Sequence, residues 1–104
     1  MDITHLPEHS TFELIIDGTR AYVIYEIYDG SLDVRKTLVP PALGGQGIAG
    51  KLVKAAYDYA QAQGLKCLAT CSYAVKWLER HPEYHGATSS DYVAGSCAVG
   101  KHQG

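Results

Sequence analysis

Six residues in the middle of this chain, Gly45-Gln46-Gly47-Ile48-Ala49-Gly50, fit three phosphate-binding patterns at once. As written they are G-x-G-x-x-G, a dinucleotide fingerprint, and with Lys51 they give G-x-x-x-x-G-K, close to a P-loop. With Leu43-Gly44 in front they read Leu-Gly-Gly-Gln-Gly-Ile-Ala, close to a loop that cradles the pyrophosphate of an acyl-coenzyme A. All three share one piece of physics: glycines bare the backbone N–H groups, and a following helix aims its positive end at an anion.

The neighbouring elements must decide between them. Thr11 to Asp17 alternates, with Phe12, Leu14 and Ile16 on one face, and Asp17-Gly18 supplies a hairpin turn into a second strand, Ala21 to Tyr28. Asp29-Gly30 repeats the turn signal, and Leu32 to Val39 continues the two-residue period until Pro40-Pro41 stops ladder pairing. From Gln46 the period becomes helical through Ile48, Leu52, Ala56, Tyr59 and Ala60, with Gly64 as the cap. Leu65 to Thr70 is a short apolar run suited to a central strand. Ser72 or Thr70 can then cap a second helix that runs through Leu78 and Arg80 and ends at Pro82. Beyond Gly86 the periodicity is lost, so residues 1–86 read as one domain and 87–104 as a loose tail. The fold class is α/β (α+β): a three-stranded antiparallel meander, the glycine loop, a long helix, a central strand and a second helix.

That order removes two of the three patterns. A dinucleotide loop belongs in a parallel sheet and needs an acid about twenty residues on, where this chain has Cys67-Leu68-Ala69-Thr70. A P-loop needs Ser or Thr after its lysine to reach magnesium, and residue 52 is leucine. Moreover, 104 residues cannot hold the several βαβ units of either fold together with a substrate site.

With 46% apolar and 19% charged residues, the composition is that of a soluble domain with one modest core, as a monomer or homodimer. A net charge of -2 offers no basic footprint for nucleic acid, so an anionic cofactor has to be held by local amides. There is no apolar run of about 18 residues and no charged-then-apolar leader, which gives the expectation of a cytoplasmic protein without a membrane span. Three cysteines, Cys67, Cys71 and Cys97, form no C-x-x-C and suit a reducing compartment.

From Tyr22 to Tyr84 the chain resembles the small, single-domain members of the Gcn5-related N-acetyltransferase superfamily. The residues that carry the likeness are Ala21-Tyr22 and Tyr25, Thr37-Leu38-Val39-Pro40, Gly44 to Ala49, Leu52-Val53, Cys71-Ser72-Tyr73 and His81-Pro82-Glu83-Tyr84. The resemblance implies acetyl-CoA (coenzyme A) as cosubstrate and an amine as acceptor, with no metal. Its loop pattern is Gln or Arg, two free positions, Gly, one free position, then Gly or Ala. Gly47 and Ala49 match the last two, and Gly44 departs from the first. The cofactor-binding set it implies is Thr37, Leu38 and Val39 with Gly44, Gly45, Gln46, Gly47, Ile48 and Ala49.

For catalysis the likeness points to Cys71, Tyr73 and Glu83. Cys71 falls at the end of a strand where a helix begins, a place that favours a thiolate, and the resemblance makes it an acetyl acceptor or acid; the alternative is a small buried apolar residue. Tyr73 could donate its phenol proton to the leaving thiolate, or simply pack, in a chain with eight tyrosines. Glu83 and His81 belong to the matching segment, although a histidine at a helix C-terminus also satisfies carbonyls. Members commonly carry a histidine and a glutamate around Thr37, where this chain has Lys36 and Leu38. Either Glu83, Asp33 or a water is then the base, or the amine arrives already deprotonated, or the chain is a non-catalytic module that binds CoA or a partner protein through the same cleft.

One metal-like spacing remains: Cys67, Cys71, His81 and His85 read C-x3-C-x9-H-x3-H, with a middle gap shorter than the usual of about twelve. Pro82 between the histidines and a strand position for Cys67 argue against it. His5 and His9 flank Pro7 in a polar leader and read as solvent-exposed.

Overall fold

The computed structural model describes residues 2–90 and 92. At both Asp-Gly pairs, Asp17 with Gly18 and Asp29 with Gly30, the two residues have positive φ, between 50° and 79°. Such turns carry the twist of the flanking strands, so each folds the chain straight back on itself. The elements in order are β1 Thr4–Leu6, β2 Thr11–Ile16, β3 Thr19–Tyr28, β4 Ser31–Leu38, α1 Ile48–Ala62, β5 Lys66–Ala69, α2 Ser72–Arg80 and β6 Ala87–Thr88. They form one sheet in sequence order, antiparallel from β1 to β4 and parallel from β4 to β6.

The meander, the long helix, the central strand and the second helix all stand where their periodicities put them. Two strands are additional. β1 pairs with β2, and it changes the reading of His5: the ring stacks on Phe12 at 4.1 Å and its Nε2 lies 2.6 Å from Tyr25 Oη, while His9 is exposed. The segment after Gly86 is likewise not loose at its start. Ala87 and Thr88 pair with β5, and Ser89 N–H donates to Ala69 O at 2.9 Å. Gly86 permits that path, because a Cβ there would come within 2.5 Å of Leu78 carbons. Residue 91 and residues 93–104 of the expected tail, Cys97 among them, lie outside the described residues.

Parallel strands need crossovers, and the right-handed rule puts α1 and α2 on one face of the sheet. There α1 packs across β2 to β5, and α2 packs on β4, β5, β6 and α1. α1 is fixed to the central strand by Tyr57, fully buried, whose hydroxyl donates to Leu68 O at 2.6 Å. Burial holds that phenol well above its ordinary pKa, so it stays a donor. Alternation along β3 and β4 sends Ala21, Val23, Leu32 and Val34 into this core.

The pairing of β3 with β4 then skips a residue: Tyr25 faces Val34 but Ile24 faces Lys36, leaving Arg35 as the extra residue of a bulge. A one-residue insertion reverses which side chains face which way. Thr37, an odd number after an even-numbered core series, therefore joins the helix-covered face opposite Val23, and is 2% exposed.

Candidate active site

The chain leaves β4 through Pro40 and Pro41 and makes a short 3₁₀ turn over Pro41–Leu43 that buries Leu43. Gly44 ends this turn, its N–H donating to Pro41 O at 3.0 Å, with φ -65° and ψ 155°. Gly44 is therefore in a conformation any residue adopts, and its amide already has a partner. Gly45 and Gly47 are different, with φ of 78° and 71°. That left-handed region favours glycine, and Gly47 in it is the N-cap of α1.

In α1 the first backbone N–H with a partner is that of Lys51, bonded to Gly47 O at 3.2 Å. Those of Gly45, Gln46, Gly47, Ile48, Ala49 and Gly50 have none among the described residues, and no side chain caps the helix. An uncapped N-terminal turn with a left-handed lead-in presents the backbone donors that an anion site requires. Gly44 to Gly47 are exposed, so the amides are within reach of a ligand.

Strands β4 and β5 pair from Ser31 with Lys66 to Val34 with Ala69 and then part. Val34 O takes the last two bonds, from Thr70 N–H at 2.9 Å and Cys71 N–H at 3.1 Å. Beyond that point Thr37 and Leu38 of β4, and Val39 after it, have no parallel partner strand. Cys71 is the N-cap of α2 and is 0% exposed, and its thiol donates to Thr37 Oγ1 at 3.6 Å across the gap. The bulge is what makes this contact, by turning Thr37 to the helix side.

Tyr73 follows two residues later and reaches the other functional element. A Cβ at Gly50 would stand 3.3 Å from Tyr73 Oη, so the phenol lies beside the first turn of α1. Burial raises its pKa, the nearby Cys71 adds to this and Arg80 opposes it. Loop, Thr37, Cys71 and Tyr73 thus share one end of the sheet.

Over residues 11–87 the chain matches the family described as GCN5-related N-acetyl-transferase. It belongs to that family. Among its relatives is Protein NATD1 of Homo sapiens, 42% identical over 84 residues that cover 77% of this chain and 74% of the relative. Protein NATD1 of Mus musculus is 36% identical over 84 residues, with 77% and 76% covered. The solution structure of a GCN5-like protein from Staphylococcus aureus superposes with a TM-score of 0.65 at 29% identity, covering 85% of this chain and 87% of that one.

Not every residue suggested by the N-acetyltransferase likeness gathers at this end. Glu83 is exposed in a 3₁₀ turn past the far end of α2, which at nine residues separates it from Cys71 by about 14 Å of helix. His81 stacks on Trp77 at 3.9 Å and its Nδ1 lies 2.8 Å from Trp77 O, a capping arrangement. Asp33 neighbours Leu32 and Val34 in the strand and so faces away from the helices, where Tyr28, Arg35 and Thr70 donate to it. Lys36 is exposed.

Cys67 is buried in β5 with its thiol pushed up to about 11 by burial, with Asp58 adding to this. Among the described residues no three His, Cys, Asp or Glu side chains come together as a metal site, so the C-x3-C-x9-H-x3-H spacing is not matched by geometry. Among them, too, no helix is long and apolar enough to cross a membrane. Trp77, which the sequence reading did not single out, also stands near this end of α1, 3.8 Å from the place a Cβ on Gly50 would take. Its four-residue spacing from Tyr73 puts the two on one face of α2.

Proposed function

We propose that this chain binds acetyl-CoA and transfers its acetyl group to an amine. The observation that carries the reading is the row of six backbone amides from Gly45 to Gly50 that have no partner among the described residues, next to a sheet that opens between Thr37 and Cys71. The amides suit a pyrophosphate, and they do so without the basic patch that a net charge of -2 does not provide. The main chain of Thr37, Leu38 and Val39, free on its β5 side, suits the amides of pantetheine. A thioester brought to this gap supplies the activated acyl group. Cys71 is then the side chain nearest the chemistry, as acceptor or acid, and Tyr73, kept protonated by burial, is the donor for a departing thiolate.

The test is saturable binding followed by turnover. Amide resonances of residues 45–50 should shift on titration with acetyl-CoA, and free CoA should appear in the presence of an accepting amine. Absence of any shift at millimolar acetyl-CoA rejects the reading. Intact mass addresses Cys71 separately: an acetylated species that survives Cys71→Ala removes that thiol as acceptor.

A second reading, CoA binding without turnover, is favoured by the occupants of β4. Lys36 and Leu38 stand where a histidine and a glutamate are common, and the strand's one carboxylate, Asp33, is engaged on the opposite face. Binding with no CoA release across a panel of amines selects it.

A further inference from the structure

Trp77 is the single tryptophan of the chain and sits one helical turn after Tyr73, so the two side chains share a face of α2. That face meets α1 at Gly50. A Cβ on Gly50 would stand 3.3 Å from Tyr73 Oη and 3.8 Å from Trp77 Nε1, so a phenol and an indole N–H converge on one spot beside the helix N-terminus. The indole ring is held firmly. It stacks on His81, meets Tyr84 edge-on at 5.0 Å and lies 5.8 Å from Tyr57.

Trp77 is 7% exposed, yet its Nε1–H has no hydrogen-bond partner among the described residues. Among the described residues no fully buried side-chain nitrogen or oxygen lacks a partner, so this N–H keeps an opening to solvent through which an acceptor on a ligand can reach it. That opening lies beside Gly50, the last of the six residues whose amides have no acceptor among the described residues.

We propose that Trp77 is a cofactor-binding residue, its indole N–H donating to a phosphate oxygen of the pyrophosphate held by the amides of Gly45 to Gly50. This rests on the acetyl-CoA reading. The chemistry is suited to the place. An indole N–H is a donor that does not titrate, and it strengthens an anion site without adding a cation whose charge would need desolvation. Gly50 is part of the same design: a Cβ there would press on Tyr73 Oη and crowd the indole Nε1.

Because there is one tryptophan, its indole N–H gives one resonance, and three ligands divide the cofactor. Acetyl-CoA and ADP, which carry the pyrophosphate, should move that resonance downfield, and pantetheine, which lacks it, should not. Trp77→Phe keeps the ring stack and should weaken acetyl-CoA binding about tenfold. An indole resonance that stays still while amides 45–50 shift overturns the role of Trp77 and leaves the cofactor reading standing. If neither moves, the cofactor reading itself is lost. A response to pantetheine, with or without one to ADP, overturns the phosphate assignment. These titrations use the unaltered protein, so they decide the matter even if the Phe variant folds poorly.

Discussion

Two polar regions flank the point where β4 and β5 part, and they are built on opposite rules. On the uncovered face, Asp33 is 0% exposed and fully engaged: Tyr28 donates at 2.6 Å, Arg35 at 2.9 Å and Thr70 at 3.0 Å to each oxygen. With Thr70's one proton committed to Asp33, the 2.6 Å contact between the Thr70 and Ser89 hydroxyls has Ser89 donating. At the glycine loop, six backbone donors have no acceptor in the described chain. The first region's polarity closes on itself; the second's is left open. The two are also linked in space, since Asp33 and Thr70 tie β4 to β5 at the last paired position before the sheet opens.

The largest expected effect tests the closed region. Asp33→Ala strands Tyr28, Arg35 and Thr70 around a missing carboxylate and should cost about 3 kcal/mol, at the lower end for breaking a buried pair. Urea unfolding of the variant measures it. A loss below about 1 kcal/mol would mean that the cluster does not hold the strands together, and the contrast with the loop would collapse.

Next comes the loop, where position rather than residue type decides the outcome. Gly47→Ala forces a Cβ into φ 71° and should cost about 1–2 kcal/mol while weakening acetyl-CoA binding, because the N-cap sets the direction of the free amides. Gly44→Gln, which restores the family's first loop residue, meets a permissive φ of -65°. Its Cβ would sit 3.2 Å from Pro41 O, so a small adjustment should hold the loss to about 0.5 kcal/mol, with cofactor affinity kept or improved. Thermal melts and acetyl-CoA titrations of both variants separate these outcomes. Equal losses at the two sites would show that the loop has no preset conformation.

These two glycines also show how much could be read from sequence. The loop, the Asp-Gly turns and the helix that ends at Gly64, with φ 73°, announce themselves through residue types whose backbone demands are local. β1 and β6, three and two residues long, are too short to display a two-residue period. The bulge at Arg35 has no local signature at all, since it exists only in the register between two strands, and yet it is what brings Thr37 to Cys71. The place of Trp77 beside Gly50 is equally invisible in the sequence. A tryptophan on an apolar helix face reads as packing, and its N–H becomes informative only once Gly50 is seen opposite.

The smallest effect probes a case between the two rules. His5 is wedged between Phe12 and Tyr59, with Nε2 bonded to Tyr25 Oη, but its ring keeps some contact with water. Burial lowers its pKa from the ordinary 6.5, and the facing Glu8 opposes this only in part. Since the unfolded chain then binds a proton more readily than the folded one, stability should be full above pH 6.5 and fall as pH drops through the lower folded value. The half-open ring limits the change to under about 1 kcal/mol. His5→Phe keeps the stack on Phe12 and removes the titration, so the difference in stability between wild type and variant should vary with pH over that window. A constant difference would assign the anchoring of β1 to ring packing alone, and would place His5 with the closed, purely structural region.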